Sequence, residues 1–151
     1  MHAGLVWEEN VKKSILVVED DPLELELTLA GLGAFCSDID IASVSDGAEA
    51  IEYLFARAEA GGSLADTSLV IMDINMPRLD GISAVKALRS DHRTALMPIV
   101  MLSNSDDPRD VKAAYEAGAN AFLRKPGLGM SSAELFGNMV PFWTRFNQIA
   151  A

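Results

Sequence analysis

Leu69-Val70-Ile71-Met72-Asp73-Ile74-Asn75-Met76-Pro77-Arg78-Leu79-Asp80-Gly81 decides how the rest of the chain is read. Four apolar residues run into one carboxylate, and the chain then turns, with Pro77 and Gly81 as its punctuation. Such a run reads as a fully buried strand of a parallel sheet. Open α/β sheets place their chemistry at the carboxyl ends of their strands, so Asp73 is expected at the mouth of a crevice. On this stretch alone Asp73 is as well explained by capping a helix as by taking part in a reaction.

Working outward, Ser14 to Val18 reads as a second buried strand and ends in Glu19-Asp20-Asp21. Three adjacent carboxylates repel one another and call for solvent, a cation or a cap. Pro22 suits the first turn of a helix, which makes Asp21 the cap and leaves Glu19 and Asp20 without a structural duty. Leu25, Leu29 and Leu32 then recur at helical spacing to near Gly33. Ile39, Ile41 and Val44 mark a short strand. Ser45 or Asp46 caps the next helix, which carries Ala50, Ile51, Leu54 and Phe55 and ends at Gly61-Gly62.

Beyond the central stretch, a helix runs from about Gly81 to Ser90, and Met97 to Leu102 is a fourth strand, ending in Ser103-Asn104-Ser105. Asp107-Pro108 opens a helix that stops at Gly118. Ala119 to Leu123 is a fifth strand, ending in Arg124-Lys125-Pro126. Ser131-Ser132-Ala133-Glu134 fits a capping box before a last helix. Pro141 lies inside that helix and crowds the carbonyl of Gly137, so a kink or break is expected, with the final segment leaving the main body. Strand then helix, five times over, implies a parallel sheet covered on both faces, with right-handed crossovers.

Composition bounds the partners. The chain has 151 residues, half of them hydrophobic, which suits one domain with a real core. Twelve basic against 22 acidic residues give a formal charge of −10. That argues against nucleic acid or an anionic membrane as a direct partner and fits a cation or a basic protein surface. The single cysteine, Cys36, cannot form an internal disulfide and reads as a small core residue in a reducing compartment. No apolar run approaches a membrane span of roughly 20 residues, and the start lacks a signal-peptide core, so a cytoplasmic location is expected. Residues 1–13 read as a loosely held arm in which Leu5, Val6 and Trp7 could dock on the domain or on a second copy.

Strand ends therefore supply Glu19, Asp20, Asp73, Ser103 and Lys125. Clustered carboxylates suit a hard cation such as Mg²⁺ held with several waters. A nearby lysine can neutralise phosphate oxygens. A carboxylate beside the metal can attack a phosphoryl group and become an acyl phosphate.

Ile15-Leu16-Val17-Val18-Glu19-Asp20-Asp21-Pro22, Asp73 with Met76-Pro77-Arg78-Leu79-Asp80-Gly81, Ser103, and Lys125-Pro126 resemble the receiver domain of bacterial two-component response regulators, from about Ser14 to Gln148. Each piece alone is weak, and their joint order and spacing make the match strong. The resemblance implies a flavodoxin-like (βα)5 fold with strand order 2-1-3-4-5. It implies that Asp73 is the phosphoacceptor and that Asp20 ligates Mg²⁺ directly, Glu19 through water and Asn75 through its backbone carbonyl. It makes Ser103 the switch hydroxyl, Lys125 the partner of the phosphoryl group, and Phe122 the switch aromatic where a tyrosine is commoner. Asn104 stands where many receivers have alanine. Asn75 and Ser105 flank the attack path and influence acyl-phosphate hydrolysis. The Lys125–Pro126 bond is often cis in that family.

The implied partners are a sensor histidine kinase and a downstream protein target or phosphotransfer protein. The sequence carries no DNA-binding or catalytic module, which reads as a stand-alone receiver occupying residues 14–151. The segment before Leu69 and the Phe142-Trp143 ending look similar to regulators that partner bacterial phytochrome kinases, in which terminal segments such as residues 141–151 support a homodimer. Two other classes compete. An Asp-nucleophile phosphohydrolase usually carries an acid two residues after the nucleophile, where this chain has Asn75. A receiver-like binding module that is never phosphorylated would not need the intact Glu19, Asp20, Asp73, Ser103 and Lys125 set.

Overall fold

The computed structural model describes residues 13–60, 64–127 and 129–150. The expectations on Leu5, Val6, Trp7 and Gly61-Gly62 lie outside these residues. Strands β1 (Ser14–Val18), β2 (Asp40–Val44), β3 (Thr67–Met72), β4 (Ile99–Ser103) and β5 (Ala121–Arg124) form one sheet in the order β2-β1-β3-β4-β5. All neighbours pair parallel. Helices α1 (Pro22–Gly33), α2 (Gly47–Glu59), α3 (Gly81–Ser90), α4 (Pro108–Ala117) and α5 (Ser132–Pro141) connect and follow the strands.

Successive strand residues point to opposite faces, and that alternation builds two cores. Leu16, Val18, Val70, Met72, Ile99 and Met101 pack with Ala50 and Leu54 of α2, Val85 and Leu88 of α3, and Ala114 of α4. Ile15, Val17, Leu69, Ile71, Val100 and Leu102 pack with Leu32 of α1 and with Leu135, Phe136 and Met139 of α5. Every residue of β3 is buried, which is why its sequence shows no polar alternation.

Carboxylate and hydroxyl caps set the helix starts. Asp21 accepts from Leu23 and Glu24 N–H, Asp46 from Glu49, Asp80 from Ser83, Asp107 from Arg109 and Ser131 from Glu134. Gly118 ends α4 at φ 113°, a left-handed conformation that glycine adopts freely.

Three expectations need correction. β4 starts at Ile99, because the Met97 carbonyl is taken by the Arg89 guanidinium (2.7 Å) and Pro98 has no N–H to pair. β5 starts at Ala121, because Ala119 N–H still closes α4 on Ala114 and Asn120 braces the start of β4, its side-chain oxygen accepting from Ile99 N–H at 2.8 Å. The regular α-helix does break at Pro141, as expected, but the chain is not sent away from the main body. It is the last residue of α5, and Phe142–Phe146 widen into a π turn that closes with Asn147 N–H on Phe142 O at 2.7 Å. Pro141 has no N–H to donate to the Gly137 carbonyl, and the helix gives way to the wider turn directly after it. Thr144 is buried with its hydroxyl on Val140 O (2.6 Å), and Lys13 Nζ donates to Thr144 O, so this segment is tied to the residue that leads into β1. Gly137 lets α5 approach the Phe35 ring, which a Cβ there would meet at 3.2 Å.

Candidate functional site

The register carries the ends of β1, β3, β4 and β5 to one edge of the sheet: Val18 lies beside Met72, Met72 beside Met101, and Ser103 beside Arg124. The residues that follow β1, β3 and β5 are held by continued pairing. Glu19 N–H donates to Val44 O (3.1 Å), Asp73 N–H to Val18 O (3.1 Å) and Lys125 N–H to Ser103 O (2.9 Å). The sheet thus places three charged side chains within a few ångströms, at the point where strand order reverses between β1 and β3.

Lys125 Nζ lies 2.5 Å from Glu19 Oε1 and 3.4 Å from Asp73 Oδ2. Glu19 is 4% exposed and the Lys125 side chain 6%, so this contact is screened by little water. Burial raises the Glu19 carboxyl above its ordinary range and the Asp73 charge adds to that, while the hydrogen bond from Lys125 pulls the other way. Burial alone would lower Lys125. The bond to Glu19 and the charges of Asp73, Glu19 and Glu24 outweigh it and hold the ammonium above its usual range. The Asp73 carboxylate is fixed on its other side by Ile74 N–H, 2.8 Å from Oδ1.

Oxygens of Glu19, Asp20 and Asp73 all lie within 4.8 Å of one another. Asp20 is exposed, Asp73 half-buried and Glu19 buried, so the trio meets solvent chiefly at Asp20. An all-oxygen set with room for waters fits a hard divalent cation. Asn75, Ser103, Asn104, Ser105 and Glu24 border the same cavity of about 290 Å³. Ser103 is 1% exposed, and its oxygen accepts from Ser105 N–H at 3.2 Å.

The loop after Asp73 is folded back hard. Gly81 N–H donates to Ile74 O (2.7 Å), and a Cβ on Gly81 would sit 2.0 Å from Asp73 O. Arg78 adopts φ 62°, and its guanidinium grips Asp46 at 2.8 and 3.2 Å. Gly47 N–H reaches Leu79 O at 3.2 Å. The loop bearing Asn75 is thereby clamped to the start of α2.

Six of the residues expected at the site, Glu19, Asp20, Asp73, Asn75, Ser103 and Lys125, line this cavity, and one stands apart. Phe122 does not line the cavity. It packs against the α2–α4 core, and its N–H donates to the hydroxyl of Tyr115, which is half exposed on α4. Glu24 joins the site without a local sequence signal: its carboxylate lies 3.4 Å from Lys125 Nζ and 3.5 Å from Asn104 Nδ2. Only its place one helical turn after Asp20 could have pointed to it. The Lys125–Pro126 bond is trans, unlike the cis form common among the receivers that the sequence resembles.

Residues 15–133 match the response regulator receiver domain family. The response regulator Rcp1 of a Synechocystis species is 30% identical over 118 residues, which cover 78% of this chain and 80% of Rcp1. The crystal structure of Mn²⁺-bound Rcp1 superposes with a TM-score of 0.77 at 26% identity, covering 92% of this chain and 99% of that one. The phosphorylated cyanobacterial phytochrome response regulator RcpA gives the same TM-score, identity and coverage. Sequence match, strand order and the edge-of-sheet acids agree: the chain belongs to the response regulator receiver domain family of two-component signalling.

Proposed function

We propose that Asp73 accepts a phosphoryl group from a sensor histidine kinase and that the domain switches partner binding in response. The observation that carries this reading is the Lys125 ammonium poised between Glu19 and Asp73, beside three mutually adjacent carboxylates. An Asp73 oxygen attacks phosphorus of a phosphohistidine, the P–N bond breaks, and its electron pair leaves on the imidazole nitrogen. The product is an acyl phosphate on Asp73. Glu19, Asp20, Asp73 and the Asn75 carbonyl would hold Mg²⁺, which when bound offsets the negative charge that builds on the phosphoryl oxygens. Lys125 pairs with one of those oxygens, and the Ser103 hydroxyl turns from Ser105 to donate to another. Phosphorylation adds about 1.5 to 2 negative charges at a crowded site, enough to bias a two-state element. That element is the face from Asp107 to Phe122, α4 with the start of β5, with Phe122 and its Tyr115 contact as the reporter of the change.

Asn75 carries no exchangeable acid proton, which favours a phosphoacceptor over a hydrolase acting on separate substrates. Likeness to phytochrome-associated regulators supports a bacteriophytochrome as the kinase. A cytoplasmic location follows from that pairing, and no helix among the described residues is long and apolar enough to cross a membrane. Phe142 and Phe146, 50% and 67% exposed, support a homodimer through the chain end. The downstream target is a protein or phosphotransfer domain, not nucleic acid.

Intact-mass measurement after incubation with Mg²⁺ and acetyl phosphate tests the reading. Wild type should gain one phosphoryl group and Asp73→Asn none. An adduct on both would move the phosphoacceptor elsewhere. No adduct on wild type from acetyl phosphate or a phosphorylated histidine kinase would overturn the switch reading in favour of a binding module.

A further inference from the structure

Five acids border the cavity, Glu19, Asp20, Asp21, Asp73 and Glu24, and of these Glu24 alone lies within a helix. It stands in the first turn of α1, with its side chain 32% exposed at the cavity mouth. One oxygen lies 3.4 Å from Lys125 Nζ, the same distance at which Lys125 faces Asp73. The other accepts from Asn104 Nδ2 at 3.5 Å, so a side chain from α1 reaches across to the loop after β4. Glu24 is not one of the three acids whose oxygens converge for a cation. It instead contacts the lysine and, at 32% exposure, is the more accessible partner of that pair in the same cavity.

Lys125 therefore has three carboxylates competing for one ammonium. Glu19 takes the shortest contact and is buried; Glu24 takes the outer side; Asp73 has a longer contact than Glu19. A donor that brings a phosphoryl group to Asp73 adds negative charge next to this outer carboxylate. Like charges a few ångströms apart in a partly dry cleft repel by an amount that changes rates several-fold.

We propose that Glu24 is a positioning residue that slows phosphoryl entry: it keeps part of the Lys125 charge turned away from Asp73 and repels the phosphate-bearing donor. The inference rests on Asp73 being the phosphoacceptor. The step it governs is unchanged by it. An Asp73 oxygen bonds to phosphorus of acetyl phosphate, the bond from phosphorus to the acyl oxygen breaks, and acetate leaves with the electron pair.

The test follows phosphoryl uptake by intact mass in wild type, Glu24→Gln, Glu24→Asp and Glu26→Gln, with saturating Mg²⁺ and acetyl phosphate as donor. Glu26 lies exposed on the same helix and gives the same change in net charge. At low ionic strength Glu24→Gln should take up phosphoryl roughly fivefold faster than wild type, and the gain should shrink towards onefold at about 1 M salt as the field is screened. Glu24→Asp keeps a charge at the mouth and should retain the slow rate, as should Glu26→Gln. Calorimetric Mg²⁺ affinity of Glu24→Gln should stay within about twofold of wild type, because the residue acts on the lysine and the donor and not on the cation. Labelling of wild type at Asp73 with no acceleration in Glu24→Gln overturns this inference and leaves the phosphoacceptor standing. Equal acceleration in Glu26→Gln or Glu24→Asp, or a gain that survives high salt, overturns it too. Failure of wild type to label overturns the phosphoacceptor reading and this inference with it.

Discussion

Lys125 Nζ sits closer to Glu19 (2.5 Å) than to Asp73 (3.4 Å), so the buried acid holds the lysine and the more exposed acid is the one left able to react. Removing the lysine leaves Glu19 buried and unpaired beside another carboxylate. Lys125→Ala should therefore lower unfolding stability by about 2 kcal/mol without divalent metal, less than a fully enclosed pair because the cavity admits water. Mg²⁺ should still bind, and binding should return part of the loss by mass action. Phosphorylation of Lys125→Ala should no longer change partner binding or oligomeric state. Denaturant titrations with and without Mg²⁺ check the first two outcomes. A wild-type response to phosphorylation would remove Lys125 from the switch.

The Asp46–Arg78 pair gives a pH signature. Hydrogen bonds from Arg78 and from Glu49 N–H hold the Asp46 carboxyl below its ordinary range, against the opposing effect of burial. A carboxylate whose folded value is depressed adds stability that is complete above its unfolded value and disappears as pH falls through the folded one. Asp46→Asn keeps a capping oxygen for Glu49 but loses the charge. Its deficit against wild type should be full above about pH 5 and shrink as pH drops below about 4. Urea midpoints across that range read it directly. A deficit that does not change with pH would show that Arg78 holds Asp46 by geometry alone.

The parts of this fold that follow local rules were legible in the sequence. The Leu69–Met72 run, the Asp21-Pro22 and Asp107-Pro108 helix starts and the Gly118 stop each rest on one or two adjacent residues, and each stands where expected. The site was legible because strand-end residues share an edge once the strands are parallel, whatever their distance in sequence. Contacts that depend on side-chain reach were not. Arg89 reads as an ordinary helix-face cation, yet its guanidinium donates to Gly118 O, Ala95 O, Met97 O and Asn120 Oδ1, and it trims both neighbouring strands by doing so. Glu24 reads as a polar turn of α1 and reaches Lys125 only through the tertiary fold. At Pro141, local rules foresaw the lost hydrogen bond but not the π turn, because burial of Thr144 decides where the segment goes.

The chain end carries the last prediction. Truncation before Pro141 would remove Trp143 from the core and Thr144 from its bonds to Val140 and Lys13, so it would confuse lost folding with lost assembly. Phe142 and Phe146 separate the two, because both are exposed in the single chain. Phe142 also borders a groove shared with Leu123 of β5 and Leu135 and Met139 of α5. If that surface is the dimer contact, the double variant Phe142→Ser with Phe146→Ser should keep the far-ultraviolet dichroism and unfolding midpoint of wild type. It should also weaken the dimer at least about thirtyfold, the scale of losing aromatic anchors from an interface. Sedimentation velocity over a dilution series measures this. An unchanged dimer would place the contact on another face, and a wild type that stays monomeric at high concentration would remove the homodimer altogether.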